Sequence, residues 1–199
     1  MADDKQGREK QARDATRRQQ RRDIETDLER MDEPEPPIED EELHLFEERI
    51  EPLRFPATGK AVVEAAGKHE LTTEEDTYTV RELIPESERH QYESRQAVRA
   101  QVQRPTVAGA MKRIVEASDQ LEEVSQRKTR QNAYEKTLRA LKTIEADDED
   151  EGIRVVTDWI LEQINEDGHL PSSREVRQRA AEFCRDNDIP ISDNDWLGA

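Results

Sequence analysis

Residues 152–187 read GIRVVTDWILEQINEDGHLPSSREVRQRAAEFCRDN. Ile153, Val156, Trp159, Ile160 and Ile164 recur at three- and four-residue steps, the period of a helix with one apolar face. DGHLP then supplies Gly168, free to take a left-handed backbone, and Pro171, which cannot continue a helix. Ser172 with Glu175 has capping-box spacing and opens a second helix. Val176, Ala180, Phe183 and Cys184 fall on one side of it. Two helices joined by a Gly/Pro turn form a helix-turn-helix-like unit. Ile189, Ile191, Trp196 and Leu197 are the apolar residues left to cover it.

The same period recurs upstream. Residues 126–144 place Ala133, Tyr134, Leu138, Leu141 and Ile144 on one side. Before them Val107, Ala110, Met111, Ile114 and Val115 stripe a helix whose first turn holds Pro105, where the missing N–H costs nothing. Ser94 opens a helix with Ala97, Val98, Gln101 and Val102 on one face, and Thr58 caps another that carries Ala61, Val62, Val63 and Ala65 up to Gly67. Between them HELTT and DTYTV alternate β-favouring residues around two acids and predict one small hairpin. Thr79 with Glu82 has capping-box spacing for a short helical turn before Pro85. The expected fold is therefore mainly α with one small β-hairpin.

The 199 residues hold 48 acids and 31 bases, a formal charge of −17, and Leu, Ile, Val and Phe together make up less than a fifth of them. That composition argues against one large core. No run approaches the length of a membrane span, and the first apolar residue after Met1 larger than alanine is Ile24, so no secretory leader is expected. Cys184 is the single cysteine, which excludes a disulfide within the chain. Acidity of this degree ordinarily repels polyanions. A salt-rich cytoplasm shortens electrostatic reach to about 3 Å at 1 M, so local charge becomes the better guide to partners.

Local charge divides the chain. Lys5–Arg22 has eight bases, two acids and no large apolar residue, whereas 23–51 has fourteen acids, two bases and three prolines. Residues 1–51 thus read as a mobile arm, basic then acidic, although Leu43, Leu45, Phe46 and Ile50 can stripe a short helix within it. Residues 52–144 read as a helical unit with the hairpin, 145–151 (EADDEDE) as an acidic linker, and 152–199 as the helix-turn-helix-like unit. The helices at 105–118 and 126–144 carry apolar stripes that need cover. The hairpin unit, a partner helix or a second copy of the chain are the candidates to supply it.

Motifs for chemistry are sparse. His44, His69, His90 and His169 lie far apart, and none has a second His or Cys at metal-ligand spacing. PATGK (56–60) looks superficially like a phosphate loop, but it lacks the preceding glycine, and Ala61 stands where a magnesium-binding Ser or Thr belongs. No enzyme, cofactor, metal or small-molecule substrate is expected. In the helix-turn-helix-like unit, Ser173, Arg174, Arg177 and Gln178 occupy the turns that reach base edges or phosphates in such motifs. Plain helical packing is the competing reading, since residues 152–199 carry twice as many acids as bases. In the arm, Arg17, Arg18, Arg21 and Arg22 can line a helix against a phosphate backbone, and with no aromatic interleaved the contact would be sequence-blind. A solvated tail is the competing reading there.

The stretch FPATGKAVVEAAG…TYTVRELIP…YESRQAVRAQVQRPTVAGAMKRIVEA, from Phe55 to Ala117, resembles a small domain family of unknown function found in haloarchaea. The resemblance is expected to extend into the PSSREVRQRAAEFCRDN…DNDWLG block. It implies a cytoplasmic, salt-adapted protein and brings no catalytic or binding residues. The function expected is that of a non-enzymatic binding protein touching nucleic acid. The alternative is an interaction or adaptor protein that uses exposed apolar helix faces to hold a protein partner or a second copy.

Overall fold

The capping residues set the helix boundaries. The computed structural model describes residues 38–73, 76–121, 126–143 and 150–189. Thr58 Oγ1 accepts the Ala61 amide at 3.2 Å and starts α2 (Gly59–Ala66), after α1 (Asp40–Arg49) and β1 (Ala57–Thr58). Thr79 and Glu82 close a capping box on α3 (Val80–Leu83), which follows β2 (Glu70–Thr72) and β3 (Thr77–Thr79). After β4 (Gln91–Tyr92), Ser94 caps α4 (Arg95–Val102), and Pro105 is the first residue of α5 (Pro105–Ser118). Then come α6 (Arg127–Lys142), α7 (Glu151–Asp167) and α8 (Ser173–Asp186). Each side-chain cap satisfies an amide that a helix start would otherwise leave open, worth about 1 kcal/mol.

The expected hairpin is present as β2 and β3, antiparallel, with Leu71 opposite Tyr78. A second two-stranded antiparallel sheet pairs β1 with β4, with Ala57 opposite Tyr92. Its strands lie far apart in sequence, and two-residue strands have no alternation to read. The pairing brings the 85–90 loop onto the start of α2, where the Gly59 amide donates to the His90 carbonyl at 3.0 Å and the Lys60 amide to the Ser87 carbonyl at 3.1 Å. A Cβ on Gly59 would lie 2.1 Å from the Pro85 carbonyl oxygen, so only glycine permits this approach.

Two apolar clusters build the interior of the single compact unit to which these elements belong. The N-terminal one runs from Ile38 to Ala108 and includes Phe46, Val62, Leu71, Leu83, Tyr92 and Val98. The second is a four-helix core of α5 to α8, centred on Ile114, Tyr134, Leu138, Ile153, Ile160 and Val176. Helix α5 serves both, giving Ala108 to the first and Val107, Met111 and Ile114 to the second.

This division corrects two sequence expectations. The boundary at 145–151 does not separate two cores, because α5 and α6 pack on α7 and α8. The stripes that needed cover receive it from the C-terminal helices. Of the expected linker, residues 145–149 lie outside the described segments. Asp150 takes Lys142 Nζ at 2.8 Å and Thr106 Oγ1 at 3.2 Å, and Glu151 is already helical. Nor do residues 38–51 belong to a mobile arm. Ile38, Leu43, Phe46 and Ile50 are buried in the N-terminal core, because apolar spacing outweighs an acidic composition when the acids fall on the outer face. Leu45 is left outside, 51% exposed.

Candidate nucleic-acid interface

The turn between α7 and α8 is fixed from three sides. Gly168 takes the left-handed conformation, φ +65°, where an L side chain is strained, and so ends α7. From α6, the Arg130 guanidinium donates to the Leu170 carbonyl and the Tyr134 hydroxyl to the Pro171 carbonyl. Tyr134 is fully buried, and burial pushes its phenol above the ordinary range. The predicted capping box then starts α8. The Ser172 amide donates to the Glu175 carboxylate at 2.7 Å, and the Glu175 amide to Ser172 Oγ at 3.3 Å. Those hydrogen bonds hold the Glu175 carboxyl below its usual pKa.

Helix α8 presents two rows of opposite character. Arg174, Gln178 and Arg185 share one exposed side. Glu175, Glu182 and Asp186 share the next, toward α7. There a groove of about 430 Å³ is lined by Trp159, Glu175, Gln178, Arg179 and Glu182. Gln178 donates to Glu182 at 3.3 Å, and Arg179 approaches Glu182 at 3.6 Å. Of the residues expected to read nucleic acid, Arg174 and Gln178 are exposed, whereas Ser173 and Arg177 are half-buried. Arg177 lies beside the buried Val176 and Ala180, and its Nε is enclosed without a hydrogen-bond partner among the described residues. The arm arginines Arg17, Arg18, Arg21 and Arg22 lie outside the described residues.

The two helices packed on α8 differ sharply in charge. Helix α6 carries six bases and one acid, and α7 five acids and one base. On α6, Lys128, Asn132 and Lys136 form an exposed row at four-residue spacing; on α7, Asp158, Glu162 and Glu166 do the same. Sequence reading missed α6 as a charged element because its apolar stripe drew attention first. The signal was the lone acid between Arg127 and Lys142. Two of its bases are committed to structure. Arg130 holds the turn, and the buried Arg127 reaches Asp119 Oδ1 at 3.2 Å and the Leu121 carbonyl at 2.7 Å.

Other polar features serve the fold. Arg89 also donates to the Asp119 carbonyl, at 2.8 Å, so two guanidiniums meet the negative end of α5. Beside them His90 packs edge-on against Tyr92, with ring centroids 4.9 Å apart. Burial lowers its pKa first and the charge of Lys128 adds, opposed by Asp119 and a hydrogen bond with Gln131. PATGK offers no open phosphate cradle, since the Gly59, Lys60 and Ala61 amides are all engaged within the chain. His44 is exposed beside Glu47, His69 stacks on Phe46, and His169 is exposed. Among the described residues no three His, Cys, Asp or Glu side chains are grouped to hold a metal ion. Among them, too, no helix is long and apolar enough to cross a membrane.

Residues 41–114 match the model of DUF5789, a family of unknown function. The match begins in α1 and ends within α5. It therefore takes in nearly all of the N-terminal core and stops short of α6, α7 and α8, including the C-terminal block to which the resemblance was expected to extend. No curated protein and no solved structure matches the chain.

Proposed function

We propose that this is a non-enzymatic, salt-adapted cytoplasmic protein that associates with nucleic acid through the first turns of α8. The observation that carries the reading is the presentation of Arg174 and Gln178. Both are exposed on a helix whose preceding turn is held by Arg130 and Tyr134. Arginine and glutamine side chains match the donor and acceptor pattern of purine edges in the major groove, and a fixed helix start spends no binding energy on ordering. The basic arm, with Arg17, Arg18, Arg21 and Arg22, would add unspecific phosphate contacts. The interaction alternative draws on apolar faces of α5 and α6, and within the chain those faces are covered by α7 and α8.

Fluorescence anisotropy of the full chain with random duplex and single-stranded probes tests the reading. Circular dichroism at each salt concentration verifies that the protein stays folded. Binding is expected to weaken steeply with salt, with a shallower slope once residues 1–22 are removed. No binding at the lowest salt that keeps the protein folded, together with a dimer or a bound protein in light scattering, would favour the adaptor instead.

A further inference from the structure

The opposite charges of the two helices packed on α8 bear on how a nucleic acid would lie against it. Packed helices run 8–10 Å apart, which is within one screening length at 0.1 M salt. Phosphates approaching Arg174 and Gln178 would therefore feel the charges of both neighbours. On the α7 side they would meet Glu175 and Glu182 at the groove rim and then Asp158, Glu162 and Glu166. On the α6 side stand Lys128 and Lys136, both exposed. Lys128 pairs with Glu93 at 3.0 Å, but the two side chains are 66% and 69% exposed, so the pair is weak and exchangeable.

We propose, resting on the nucleic-acid reading above, that the phosphate backbone runs along the α6 flank of α8 while the α7 flank faces away from it. The proposal names a second contact surface, the exposed row of α6, and gives the bound duplex a side. The four-residue step of that row advances about 6 Å along the helix, so Lys128 and Lys136 stand about 12 Å apart, comparable with the width of a major groove. Helix α6 also holds the turn that starts α8, so its position relative to Arg174 is set by hydrogen bonds.

The test compares the full-length protein with two double variants, Lys128→Glu/Lys136→Glu on α6 and Glu162→Gln/Glu166→Gln on α7. Binding is followed by anisotropy on a labelled random-sequence duplex from low to high salt. All four residues are exposed, and circular dichroism confirms that each variant folds. The α6 variant is expected to bind severalfold more weakly, with a log–log salt slope shallower by about two. The α7 variant should stay within about twofold of the parent. Equal and opposite changes from the two variants would mean that only net charge matters, and would overturn the proposal, as would an unchanged α6 variant. In both cases parental binding would persist, and the nucleic-acid reading with it. Absence of binding by the parent would end both. Displacement of the duplex by poly-glutamate as readily as by unlabelled duplex would assign the α6 row to an acidic protein partner and overturn the proposal.

Discussion

The two cores of this chain reach stability by different routes. The four-helix core is built from helices of 14 to 17 residues whose apolar stripes meet along their lengths. The N-terminal core uses shorter pieces, with helices of 4 to 10 residues and strands of two or three. Such pieces bury little each, so caps, a tight glycine contact and backbone bonds across distant segments define their arrangement. Long helices announce themselves by periodicity. A stitched core is held by contacts that are local in space and remote in sequence.

The sharpest test of this contrast is Phe46→Ala. Phe46 is completely buried in α1, in a segment whose composition suggests a detached arm. Truncation should cost about 3–5 kcal/mol and lower the midpoint of a single denaturant transition, because α5 ties the two cores together. Two separated transitions would show the cores to be independent, and no loss would return residues 38–51 to the arm. Tyr134→Phe comes next, at about 1–3 kcal/mol, because it leaves the Pro171 carbonyl without its buried donor. The same variant should weaken duplex binding if the turn positions α8, whereas Phe46→Ala should leave binding intact under conditions where it is folded. Ser172→Ala removes the α8 cap at about 1 kcal/mol, measured by the same denaturant titration.

The smallest expected effect is a pH dependence confined to the seam beside α5. His90 has a lowered pKa when folded, so its unfolded form binds protons more readily. Its contribution is complete above the ordinary histidine value of about 6.5. It fades as pH falls from there through the folded pKa. Thermal unfolding between pH 7.5 and 5.5 should therefore show a steeper loss for the parent than for His90→Gln. Equal slopes would place the pH dependence elsewhere.

Legibility in the sequence followed the same divide. Thr58, Ser94, Pro105 and the boxes at Thr79/Glu82 and Ser172/Glu175 stand where spacing put them, since capping is decided within four residues. The β1–β4 pair was not legible, because nothing within Ala57–Thr58 points to Gln91–Tyr92. Helix α1 was half-legible. Its stripe was visible, but the charge around it suggested solvent. For the candidate interface, the sequence placed Arg174 and Gln178 in the first turns of a helix and so near the surface. It could not show that Arg177 leans toward the buried face, or that α6 and α7 bring opposite charges to α8, because helix neighbours are a property of tertiary packing.

Pro105–Ser118 lends one face to each core, and this has a kinetic consequence. Opening of α1 exposes the near end of a helix that the rest of the molecule also leans on. Amide protons of α1 should then exchange with solvent at rates that respond to whatever steadies α8. In a hydrogen-exchange experiment, occupancy at the C-terminal helices would be read out as slower labelling at Leu43 and Phe46, at the opposite end of the described chain.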